Sequence, residues 1–201
     1  MRHINGLLVG FLVVSGFLVG FVSLYFSSLS GVMSRLGFVG GDLTREVRVN
    51  DLVRGLRDIP NKPSCDFWGA ITPVPSYLFA SGERRVLLGF SLGYERVVCG
   101  AHYIISGNAE RGVYTILKGI YYLRSSYLEL GKSIPQSPAL CTLREGDMVD
   151  PWVAAYLFAS RGTAHDVIYN AWREVSEDRA HVAELCNVIQ KNAVDGAPLS
   201  F

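Results

Sequence analysis

The feature that most constrains this chain is an uncharged, apolar run close to its beginning. Between Ile4 and Phe26 the only ionisable side chain is the phenol of Tyr25. At 1.5 Å per residue, a helix of this length is long enough to cross a bilayer. The alternative is a cleaved signal peptide, with Arg2 at its charged start and a small-x-small cleavage site at residues 28–30. We therefore predict that residues 1–40 are one transmembrane or signal helix.

Residues 41–201 are predicted to form a single exported domain, either tethered at the extracytoplasmic side of the cell membrane or secreted after signal cleavage. The chain carries 19 basic and 18 acidic side chains, and only Arg2 and Arg35 lie within the first 40 residues. The domain is therefore close to neutral. This balance excludes a broad nucleic-acid-binding surface driven by net charge.

The four cysteines, Cys65, Cys99, Cys141 and Cys186, are widely spaced along the domain. They show no CxxC pair and no cysteine-histidine spacing suited to zinc, so we expect no metal site. An even number of cysteines in an exported domain allows one or two disulfides, and the spacing leaves the pairing open.

The domain is predicted to be all-α, because no alternating strand pattern persists long enough to build a sheet. Helices are expected near 44–58, 83–99, 108–130, 150–160 and 164–192, with Thr163 as the candidate cap of the last one. Residues 133–147 are expected to form a loop. The pentapeptide 77–81 recurs at 156–160, which indicates either a duplicated helix start or a coincidence of common helix residues.

The residue pair that most indicates chemistry is Arg96 with His102, six positions later. An arginine can bind two phosphate oxygens at once, and a neutral imidazole can attack phosphorus to give a phosphohistidine. The Cys99-Gly100 pair between them predicts a turn that ends the helix. Another group of the same residue types, Ser160 to Asp166, has a shorter arginine-to-histidine interval and is assigned to helix initiation.

This segment resembles the last signature of the class A bacterial acid phosphatases, within the type 2 phosphatidic acid phosphatase and vanadium haloperoxidase superfamily. That signature is Ser-Arg, five residues, His, three residues, Asp. Upstream, Pro63-Ser64-Cys65-Asp66 stands where the family has Pro-Ser-Gly-His. The resemblance covers roughly residues 60–130. It implies a helical bundle of the acid phosphatase type, with Arg96 and Ser64 binding phosphate, His102 as nucleophile, Asp66 as acid, and no cofactor.

Several positions depart from the family pattern. Glu95 replaces the signature serine, Ser106 replaces the aspartate that orients the nucleophile, and Asp66 replaces the acid histidine. The family's opening motif, a lysine followed six residues later by Arg-Pro, is absent, since no arginine precedes a proline. These changes predict a degenerate domain with weak or lost phosphomonoesterase activity.

Two alternatives stay open for the function. One is an active phosphatase that hydrolyses phosphomonoesters through a phosphohistidine intermediate. The other is a non-catalytic structural subunit of a membrane complex. The expected partners are a phosphate-containing small molecule if the domain is active, the membrane through the N-terminal helix, and a protein partner or a second copy of the chain.

Overall fold

The computed structural model describes residues 46–57, 65, 73–143 and 145–195, all of them within the compact unit Asp42–Phe201. The predicted N-terminal helix, residues 1–40, lies outside the described residues. The described α-helices are α1 Val49–Leu56, α2 Pro73–Leu78, α3 Gly82–Ile105, α4 Ala109–Ser133, α5 Asp150–Ala159 and α6 Gly162–Asp195. Two short 3₁₀ helices, Pro138–Thr142 and Glu145–Val149, lie between α4 and α5.

Within these described ranges there is no strand, only one isolated antiparallel bridge between Val47 and Ser160. The all-α prediction is therefore confirmed for this part of the chain. None of the described helices combines the length and the apolarity that crossing a membrane requires.

The centre of the domain is an antiparallel hairpin of α3 and α4, which pack against each other along their length. Gly107 forms the turn with φ of 89°, a left-handed conformation that glycine adopts without a Cβ penalty. Asn108 then caps α4, because its side-chain oxygen accepts a hydrogen bond from the backbone N–H of Arg111 at 3.3 Å. At the turn of the hairpin, the sequence thus supplies both residues that the backbone needs, Gly107 for the positive φ and Asn108 for the cap.

Glycines along the hairpin let the two helix backbones touch. A Cβ added to Gly119 would lie 2.8 Å from the carbonyl oxygen of Gly93 and 2.9 Å from the backbone nitrogen of Val97. A Cβ on Gly100 would lie 2.7 Å from the carbonyl oxygen of Gly112. Real Cβ atoms do not approach backbone this closely, so these positions require glycine.

Helix α6 packs across the outside of α4 and is fastened to it by side chains and by a covalent bond. Arg124 of α4 donates hydrogen bonds to Glu174 and Asp178 of α6. A disulfide between Cys141 and Cys186 ties the first 3₁₀ helix to the same helix. These contacts hold the long α6 against the hairpin.

The start of α6 is capped by a residue from far along the chain. The carboxylate of Glu46 accepts a hydrogen bond from the backbone N–H of Ala164, where a negative charge is favoured by the helix dipole. The predicted cap, Thr163, is wrong because α6 begins one residue earlier, at Gly162, and Thr163 therefore lies inside the first turn.

The repeated pentapeptide marks two similar helix junctions. Residues 77–81 lie at the end of α2 and 156–160 at the end of α5, and a glycine with positive φ starts the next helix in each case, Gly82 at 56° and Gly162 at 58°. In both copies the tyrosine is buried and the phenylalanine is exposed. The repeat is therefore a helix end followed by a turn, and not the helix start that the sequence suggested.

Candidate active site

Arg96 and His102 lie on one continuous helix, since α3 runs unbroken to Ile105. The helix end predicted at Cys99-Gly100 is wrong, because Gly100 serves to bring α3 against Gly112 of α4 and does not form a turn. At about 100° per residue, Arg96 and His102 are about 120° apart around the helix, with Cys99 halfway between them. Both side chains are half-buried. Cys99, which is buried, is thus the residue of α3 that lies between them.

The residue that lies over this part of α3 is Cys65. It forms a disulfide with Cys99, with 5.3 Å between their Cα atoms. A second contact comes from the next turn of α3, where the hydroxyl of Tyr103 donates a hydrogen bond to the carbonyl oxygen of Cys65 at 2.8 Å. The structure thus pairs Cys65 with Cys99, which the sequence left open, and attaches Cys65 to the helix position midway between Arg96 and His102.

The other two predicted site residues, Ser64 and Asp66, lie outside the described residues. Their neighbour Cys65 is described and is half-buried. What the structure shows is that Cys65, the one described residue of the Pro63–Asp66 motif, is bonded to Cys99 of the helix that carries Arg96 and His102.

Glu95 shares this surface of α3. It precedes His102 by seven residues, so the two side chains lie about 20° apart around the helix. Burial raises the pKa of the Glu95 carboxyl above its ordinary value, and the charge of the neighbouring Arg96 acts in the opposite direction. An ionised carboxylate here would repel a bound phosphate and offset part of the attraction of Arg96.

The ring of His102 contacts a tryptophan, and a serine stands at the position where the family has its orienting aspartate. Its ring lies against Trp152 of α5, with 5.9 Å between ring centroids, and Trp152 is only 3% exposed. Ser106, at the position of the family's aspartate, donates its hydroxyl hydrogen to the carbonyl oxygen of Tyr103 at 2.9 Å. A serine bonded to backbone cannot supply the negative charge that stabilises an imidazolium.

Two contacts near the site, those of Trp152 and Tyr103, are not apparent from the sequence. Trp152 is a core residue, and the fifty residues between it and His102 hide the contact of the two rings in the sequence. Tyr103 follows His102 directly, and its position seven residues after Arg96 would place it on the same side of a helix. The predicted break at Cys99-Gly100 removed that signal.

Other candidate groups in the described part of the chain lie elsewhere. His165 stacks on Tyr169 with 5.9 Å between ring centroids, in keeping with its assignment to the start of a helix. A cavity of about 250 Å³ opens at the α2–α3 junction, lined by Pro75, Ser76, Phe79, Ala80 and Arg84. The described residues contain no group of three histidine, cysteine or carboxylate side chains placed to hold a metal ion.

Comparison with known proteins adds no relative: no family model, no curated protein and no solved structure matches this chain.

Proposed function

We propose that residues 41–201 form an exported relative of the class A acid phosphatases that has kept an oxyanion site and lost efficient phosphomonoester hydrolysis. The observation that supports this most is the disulfide between Cys65 and Cys99. It brings together the two segments that separately resemble acid phosphatase motifs, although thirty-four residues separate them along the chain. Arg96 would bind the oxyanion, and His102 would contact it from the other side of Cys99.

The expected loss of turnover follows from Ser106, which occupies the position of the family's orienting aspartate. A phosphohistidine mechanism needs an imidazole in a defined tautomer with a partner for its positive charge. In a Ser-His-Asp triad, neutralising the orienting carboxylate lowers kcat about 10⁴-fold. Ser106 offers no such charge, and Glu95 adds a carboxylate on the histidine's side of α3. We therefore expect binding of phosphate with little chemistry.

Export is supported by the cysteines. Both disulfides, Cys65–Cys99 and Cys141–Cys186, are of the kind that persists in oxidising compartments and is rare in the cytosol of most cells. We propose that the domain works on the extracytoplasmic side of a membrane, anchored through residues 1–40, or is secreted if that segment is cleaved.

The proposal is tested with the full-length chain in detergent, using inorganic phosphate in calorimetry and a chromogenic phosphomonoester between pH 4 and 8. We expect phosphate binding that Arg96→Gln weakens at least tenfold, because a charge-assisted hydrogen bond contributes 1.5 to 3 kcal/mol, roughly 10- to 100-fold. Arg173→Gln is the matched control, since Arg173 is an exposed residue of α6 paired only with Glu177 among the described acids.

The outcomes separate the alternatives. Rapid turnover that His102→Ala abolishes would show an active phosphatase and contradict the loss of chemistry. Absence of phosphate binding would contradict the oxyanion site itself and favour a purely structural subunit. Phosphate binding with turnover near background supports the proposal.

Removing the charge of Glu95 is expected to strengthen phosphate binding. We expect Glu95→Gln to tighten phosphate binding about tenfold at pH 7, because a repulsive carboxylate near the oxyanion costs on the order of 1 kcal/mol or more in a partly buried site. The matched control is Glu184→Gln, at an exposed residue of α6. Unchanged affinity in Glu95→Gln would mean that its carboxylate does not face the bound anion.

A further inference from the structure

We infer that Arg111 is a second cationic ligand of this oxyanion site, binding the same phosphate group as Arg96. This inference rests on the proposed function, and it adds a residue that neither the motifs nor their spacing indicate. The juxtaposition that supports it runs from Arg111 through Tyr103 to Cys65.

The side chain of Arg111 is fixed by Tyr103. Its Nη2 donates a hydrogen bond to the Tyr103 hydroxyl at 3.2 Å, and its guanidinium carbon lies 4.2 Å from the centroid of the tyrosine ring. The same hydroxyl donates to the carbonyl oxygen of Cys65 at 2.8 Å. Arg111 is therefore two hydrogen bonds from the residue that lies midway between Arg96 and His102.

Tyr103 and Arg96 lie on the same side of α3. They are seven residues apart, so their side chains differ by about 20° around the helix axis and are about 10 Å apart along it. Arg111 reaches this side from the first turn of α4, across the turn at Gly107. The two arginines thus come from two neighbouring helices, and along α3 the turn that carries Cys99 lies between Arg96 and Tyr103.

The charge of Arg111 is available for an anion. Within the described residues its side chain forms no ion pair with any carboxylate, whereas Arg124, Arg173 and Arg179 each do. A guanidinium has five N–H donors in a planar fork, and Tyr103 accepts from one of them. The residue is exposed, so the remaining donors can bind an anion in a bidentate manner.

A second cation also answers an electrostatic need. A phosphate monoester is close to a dianion at neutral pH, and the half-buried Glu95 lies next to Arg96. Arg96 and an ionised Glu95 have no net charge together, so a second cation would strengthen the attraction for a dianion. With Arg111 included, two positive charges stand against the one negative charge of Glu95, and the site is positive overall.

The test is calorimetry with inorganic phosphate on the full-length chain in detergent. Arg111→Gln is expected to weaken binding about 10- to 100-fold, since it removes charge-assisted hydrogen bonds. Arg111→Lys, which keeps the charge and loses the planar fork, is expected to bind with intermediate affinity. Arg173→Gln should bind as the parent does. Thermal unfolding of each variant checks that the hairpin is intact. If Arg111→Gln does not fold, the phosphate affinity of Arg111→Lys tests the inference, and an affinity equal to the parent's contradicts it.

The possible failures are distinguishable. If Arg96→Gln loses phosphate binding and Arg111→Gln stays within twofold of the parent, the inference is overturned while the proposed function stands. If the parent protein binds no phosphate, the proposed function fails, and this inference fails with it.

Discussion

Gly119→Ala is expected to lower the free energy of unfolding by about 2 kcal/mol, within the usual range for an overpacked core. The new methyl group would lie 2.8 Å from the carbonyl oxygen of Gly93 and 2.9 Å from the backbone nitrogen of Val97. Since these are backbone atoms, the contact can be relieved only by moving α3 away from α4. The helix propensity that alanine gains over glycine, about 1 kcal/mol, is too small to compensate.

A matched control lies in the same helix. A Cβ on Gly131 of α4 would meet only the side chain of Val182, at 3.6 Å, which is an ordinary contact. We therefore expect Gly131→Ala to raise the free energy of unfolding by up to about 1 kcal/mol, from helix propensity alone. Urea titrations of the full-length chain in detergent, followed by circular dichroism, measure both changes. Equal effects at the two glycines would contradict the close packing of the hairpin.

Removing the Cys65–Cys99 disulfide is expected to cost both stability and phosphate binding. In the chain-entropy model a cross-link across 34 residues stabilises a protein by up to about 4 kcal/mol, and measured values are commonly about 2–4. The double variant Cys65→Ser/Cys99→Ser also releases Cys65 from its position between Arg96 and His102. We therefore expect phosphate affinity to fall at least tenfold, because an unfixed segment must be ordered on binding.

The second disulfide provides the control for this effect. Cys141 and Cys186 are 45 residues apart, so Cys141→Ser/Cys186→Ser should lose about the same stability, roughly 2–4 kcal/mol. That bond joins α6 to the first 3₁₀ helix, and neither of its cysteines belongs to the candidate site. Phosphate affinity should therefore stay within twofold of the parent at a temperature where both variants are folded. Equal losses of affinity in the two variants would show that the Cys65–Cys99 bond acts through general stability and has no special role in the site.

Helix type and approximate helix positions were predictable because they depend on local patterns. The helices predicted at residues 108–130 and 164–192 correspond to α4 and α6 within a few residues. The helix end predicted at Gly100 is wrong because a single sequence does not distinguish a glycine that ends a helix from one that lets a neighbouring helix pack closely. The cap of α6 was missed because Glu46, which provides it, is 118 residues away from Ala164.

The candidate site was predictable only in its separate parts. Arg96 and His102 were recognised from their spacing, and Ser106 and Glu95 from their departure from the family pattern. The meeting of Cys65 with Cys99 was not predictable, because four cysteines allow three pairings and no local pattern selects one. Arg111 was missed since its place depends on the hairpin turn, which brings α4 back beside the last turn of α3.

The most direct measurement is a crystal structure of the full-length protein grown with tungstate, a heavy analogue of phosphate. We expect one tungstate beside Cys65, with the guanidinium of Arg96 within hydrogen-bond distance of its oxygens and the imidazole of His102 facing it. A protein that leaves this position empty while tungstate binds at another place, or not at all, would contradict the oxyanion site.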